Sequence, residues 1–157
     1  MDSFQIFGLQ VVLSFIVYAL IARWYVAPRL AVLTLPEALT PLLFLHAMRH
    51  LGMVFLVPTV VGSTVPSAFA IPVAYGDLVA ALLALLAIIA LRSRWPLALG
   101  LTWLFNIEGT LDLLHAFYQG TRLRPELGAA YYIPTFVVPA LFVTHYMIFW
   151  LLLRRSR

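Results

Sequence analysis

Five apolar runs, over residues 4–26, 37–61, 73–91, 95–118 and 131–153, take up most of this 157-residue chain. A helix of about 20 apolar residues matches the hydrocarbon thickness of a bilayer, and a soluble core has no use for five of them. The composition agrees, with 64% apolar residues, 10% charged residues and a mean hydropathy of +1.01. Soluble domains carry about 25% charged residues. The expectation is an all-α, polytopic membrane helix bundle forming one domain over 1–157, with little chain left for anything outside the membrane.

The net charge of +4 comes from arginines alone, since the chain has no lysine. They stand singly or in pairs at the ends of apolar runs rather than along one face, which argues for the lipid bilayer as partner and against nucleic acid. Arg23, Arg29, Arg92, Arg94, Arg154, Arg155 and Arg157 fall on one side of a five-span plan, against Arg122 and Arg124 on the other. The positive-inside bias then puts the N-terminus outside and the C-terminus in the cytoplasm. The chain resembles small bacterial inner-membrane proteins, a likeness that implies no residue roles. Its first loop holds only Trp24, Tyr25, Val26, Ala27 and Pro28, short of the tryptophan- and proline-rich loop of translocator-type membrane receptors.

The absence of cysteine excludes disulfides, thiolate metal sites and cysteine nucleophiles. The first apolar run begins beside Asp2, is long, and lacks a small-x-small cleavage site, so it reads as a retained helix rather than a secretory signal. Pro28 is expected to break that helix. The stretch 62–75, with Pro66 and Pro72, is expected to lie in the interface or re-enter, with the third span starting near Val73.

Ionisable residues inside the spans are the functional signal, because a charge at the bilayer centre costs about 2.5–3.5 kcal/mol even on a lenient scale. The second span carries His46, Arg49 and His50, at helical spacings of three and four that put them on one face. The fourth carries Glu108, Asp112 and His115 on one face and Asn106 off it; the fifth carries His145. Counting rise from the helix ends puts His46 and His145 near the midplane. Arg49, His50, Glu108, Asp112 and His115 fall in the outer half, and Asp77 opens the third span at the outer surface. Arg49 is expected to pair with Glu108 or Asp112, tying the second span to the fourth.

These residues support several readings. Arg49, Glu108, Asp112, Asn106 and Asp77 form a candidate ligand site opening outward, while His46, His50, His115 and Asp112 offer nitrogen and oxygen ligands for a divalent transition metal. His46 and His145 could hold a haem between them as a bis-histidine pair. The leading expectation is binding of a small ligand or metal ion. The alternatives are an accessory subunit, with a membrane-protein partner or a second copy, whose polar cluster is structural, and a small transporter or proton relay. No serine or cysteine nucleophile and no glycine-rich phosphate loop accompanies the cluster, so no catalytic residue is named and an enzyme is the less expected outcome.

Overall fold

The computed structural model describes residues 1–62 and 64–155, and every regular element among them is helical. In chain order these are α1 (Ser3–Ala31), α2 (Leu35–Leu56), the single turn α3 (Pro58–Val61), α4 (Ser67–Arg92), α5 (Ala98–Leu123) and α6 (Gly128–Arg154). Four of them, α1, α2, α4 and α6, are long and apolar enough to cross a membrane. α5 has 26 residues, but Asn106, Glu108, Asp112 and His115 dilute its apolarity.

Local chemistry sets the helix ends. Asp2 and Gln5 form a reciprocal capping box at the start of α1, with Gln5 N donating to Asp2 Oδ1 at 2.8 Å and Asp2 N to Gln5 Oε1 at 3.1 Å. Thr34 and Glu37 do the same for α2, with Pro36 in its first turn. Between α4 and α5 the chain turns back through Arg94, held at φ 55°, with Trp95 N donating to Ala90 O at 2.9 Å in a Schellman closure.

The sequence expectations need correction at the prolines. Pro28 does not end α1. A π turn over Ala22–Val26 precedes it and resets the register, so that Pro28 falls in the first turn of the following segment, where a missing N–H costs nothing. Likewise Pro72 lies inside α4, which starts at Ser67 rather than near Val73. The stretch expected to lie in the interface is thus divided between a short connection after α3 and the first turns of α4; Ser63 lies outside the described residues. Arg157, counted among the inner arginines, also lies outside them.

α4 is the central helix and packs against both α2 and α5. Its buried face runs Ala70, Ala74, Asp77, Ala81, Ala84, Ile88 and Leu91, and the alanines let neighbouring backbones approach closely. α6 closes the bundle against α2 and α5, whereas α1 leans chiefly on α6, through the ring pairs Phe7–Tyr131, Phe15–Phe142 and Tyr18–Phe136. Most of the large apolar side chains of α1 are exposed, among them Leu9, Val12, Leu13, Ile16 and Val17. The half of the bundle holding the C-terminus is filled by an apolar cluster that includes Leu39, Leu43, Ala84, Ala87, Leu91, Ile148 and Leu152.

Candidate functional site

The site begins with a change of helix type. α2 is α-helical to Ala47 and then tightens to a 3₁₀ helix over Met48–Leu56, nine residues where runs of three or four are usual. At three residues per turn every third side chain is aligned, and the buried residues of this segment are Arg49, Gly52 and Phe55. The same tightening turns His50 away. In a continuous α-helix His46 and His50 would lie on one face, but the added rotation per residue leaves His46 buried and His50 exposed, its Nδ1 2.9 Å from Ala47 O.

Arg49 is 4% exposed and binds three partners. Its Nε donates to Asp77 Oδ1 on α4 at 2.8 Å, one terminal nitrogen donates to the Gly109 carbonyl on α5 at 3.1 Å, and the other donates to Asp112 Oδ2 on α5 at 2.5 Å. One guanidinium therefore ties α2, α4 and α5 together. Two carboxylates on one fork satisfy the requirement that a buried charge be paired and hydrogen-bonded.

Three glycines make room for this arrangement. A Cβ on Gly52 would collide with the Asp77 carboxylate, and one on Gly76 with that of Asp112. A Cβ on Gly109 would lie 2.8 Å from an Arg49 terminal nitrogen and 2.9 Å from His145 Cε1. Each of the three helices gives up one side chain so that an ionised group can lie against its backbone. These glycines were not singled out from the sequence; their only signal was position, within three residues of an intramembrane charge.

Below the ion pairs lies a second polar group. The His46 and His145 rings meet at 4.0 Å between centroids, and Phe105 packs on both, at 5.1 and 5.4 Å. Asn106, fully buried on α5, accepts from His145 Nδ1 at 2.7 Å and donates to the His145 carbonyl at 3.2 Å. The Thr144 hydroxyl lies 3.0 Å from His46 Nε2 and 2.9 Å from Ala140 O. The hydroxyl has one proton to give, and where it goes to a carbonyl His46 Nε2 is the donor in their contact. His46 Nδ1 and His145 Nε2 are left buried without a hydrogen-bond partner among the described residues, as is Glu108 Oε2.

The expected ligand residues therefore divide. Arg49, Asp77 and Asp112 come together, Asn106 serves the histidine pair, and Glu108, one turn before Asp112, is half-buried outside the ion pairs of Arg49. The metal set is corrected. His46 is sealed against His145 and Phe105, while His50 and His115 are exposed. Among the described residues no three His, Asp or Glu side chains are grouped to hold a metal ion. The haem pairing fails on geometry, because two rings in contact at 4.0 Å leave no space for a macrocycle between them.

Beside the ion pairs opens an apolar cavity of about 70 Å³. Phe7, Phe55, Phe69, Leu113 and Ile133 line it, and Asp77 is its one charged wall residue.

Residues 6–153 match the model of the family described as Domain of unknown function (DUF8737). No curated protein and no solved structure matches the chain.

Proposed function

The chain belongs to the DUF8737 family, and we propose that it is a five-span membrane protein that binds a small amphiphile bearing a cationic or proton-donating head. The membrane reading rests on the four long apolar helices and on the exposed apolar surface of α1. α5 is the fifth span in this reading, because it runs back along the full length of α4 with its polar residues turned toward Arg49 and His145. The arginine bias gives the orientation, N-terminus outside and C-terminus in the cytoplasm, and the site then lies in the outer half.

One observation carries the ligand class. Asp77 and Asp112 share a single arginine, so acidic groups outnumber the paired cation two to one, and of the two only Asp77 lines an apolar cavity. A site built this way favours a positive or donating head with an apolar body. The cavity has room for a head of about two water volumes, each about 30 Å³. A transmembrane relay is disfavoured, since apolar side chains fill the half of the bundle beyond His46 and His145, and the buried ionisable residues among those described are His46, Arg49, Asp77 and His145.

The test is binding of a radiolabelled alkylamine, dodecylamine, to the chain in lipid nanodiscs, with dodecanol as the neutral control. Asp77→Asn is expected to weaken amine binding at least tenfold, about 1.4 kcal/mol, without changing binding of the alcohol. Ala116→Phe fills the cavity without touching an ion pair and is expected to abolish binding of both. Equal amine binding by Asp77→Asn and wild type, with the fold intact by circular dichroism, ends this reading.

A further inference from the structure

A second binding place lies at the opposite end of the bundle, between α1 and α6. α1 touches α6 through ring pairs at Phe7, Phe15 and Tyr18, and beyond them its facing residues are Ala19, Ala22 and Ala27. With small side chains on the α1 side, facing Val143, Met147 and Trp150 of α6, an open apolar groove of about 480 Å³ remains between the two helices. The π turn at Ala22–Val26 lies along it and carries Arg23 to its wall.

Arg23 is exposed and has no ion-pair or hydrogen-bond partner among the described residues. Arg154 stacks on the ring of Trp150, one of the groove's wall residues, 4.9 Å from its centroid, while Arg23 is the charged residue that lines the groove itself. No carboxylate lines the groove. Its chemistry is thus a long apolar trough with unneutralised arginine at the mouth.

We infer that this groove is a specific site for an anionic phospholipid, one acyl chain lying against Ala19, Ala22, Phe142 and Met147 and the phosphate meeting Arg23. Lipid is the occupant because the groove lies against the exposed apolar helix α1, and an anionic head is selected because the one charged residue lining it, Arg23, is positive and unpaired. This rests on the membrane reading above but not on the Asp77 site, from which it is separated by the apolar core.

The test uses the chain with Trp24, Trp95 and Trp103 changed to Phe, leaving Trp150 as the reporter, in phosphatidylcholine vesicles doped with brominated lipid. Brominated phosphatidylglycerol is expected to associate at Trp150 about fivefold more strongly than brominated phosphatidylcholine, the equivalent of one arginine near an anionic head. Arg23→Gln brings the two to parity, and Ala22→Phe, which fills the trough, weakens quenching by both. Equal quenching by both lipids in the parent chain, or a preference that survives Arg23→Gln, overturns the site. Loss of the preference on adding inorganic phosphate also overturns it, by showing an anion site without a lipid requirement. No quenching by either lipid would instead refute the membrane reading itself.

Discussion

Replacing Gly109 by alanine tests the packing around Arg49 because two opposing effects can be weighed. In an unencumbered helix interior, Gly→Ala stabilises by about 0.5–1 kcal/mol through lower chain entropy in the unfolded state. At Gly109 the new methyl would stand 2.8 Å from an Arg49 nitrogen and 2.9 Å from His145 Cε1, well inside ordinary contact distance. Neither neighbour is free to swing away. Arg49 is held by Asp77 and Asp112, and His145 by Asn106. Overpacking of this kind costs about 1–3 kcal/mol. Losing the charged hydrogen bond from Arg49 to the Gly109 carbonyl adds about 1.5–3 kcal/mol. The net expectation is destabilisation by about 1.5–5.5 kcal/mol. Gly8 is the control, since a Cβ there meets nothing within 4 Å, and Gly8→Ala should stabilise slightly or have no effect. The measurement is thermal or denaturant unfolding of the purified chain in one detergent, followed by circular dichroism. If Gly109→Ala unfolds at the same or higher temperature than wild type, Arg49 and His145 do not lie against that backbone.

Further outcomes follow from the same contacts. Gly76→Ala should be more damaging than Gly109→Ala, because its methyl displaces the Asp112 carboxylate itself; expression and unfolding of the two variants side by side check the order. Arg49→Leu leaves two buried carboxylates unpaired and should cost about 3–5 kcal/mol, read by the same unfolding assay. Asn106→Leu removes both bonds to His145 and should cost about 2–4 kcal/mol, again by unfolding. Glu108→Gln, which removes a half-buried carboxylate whose Oε2 has no partner without breaking an ion pair of Arg49, should leave stability unchanged or raise it.

Much of the helix plan was legible because its causes are local. Apolar length marks the long helices, and Thr34, Pro36 and Glu37 announce the start of α2 in three residues. The prolines misled because their cost depends on where each falls in a hydrogen-bond ladder. A π turn before Pro28 removes the conflict, and no local pattern in Ala22–Val26 foretells that turn. At the site, α-helical periodicity brought Arg49 and Asp112 to facing helices and set His46 level with His145. It failed for His50, because a nine-residue 3₁₀ segment rotates side chains away from the α-helical face. That segment is held by tertiary contacts, namely Arg49 to two other helices and Phe55 against Phe69 at 5.8 Å, which are invisible in the sequence of α2. Asp77 was placed at the outer surface because the third span was begun six residues late. With α4 starting at Ser67, Asp77 is three turns in and level with Arg49.

The tie between Arg49 and Asp112 supports both the bundle and the proposed binding site, and a double-mutant cycle measures it directly. Arg49→Met, Asp112→Asn and the double variant are unfolded alongside wild type in the same detergent, and the coupling energy is taken from the four stabilities. A favourable coupling of about 2 kcal/mol or more is expected for two side chains joined at 2.5 Å and sheltered from solvent. A coupling indistinguishable from zero would mean that the two residues do not meet.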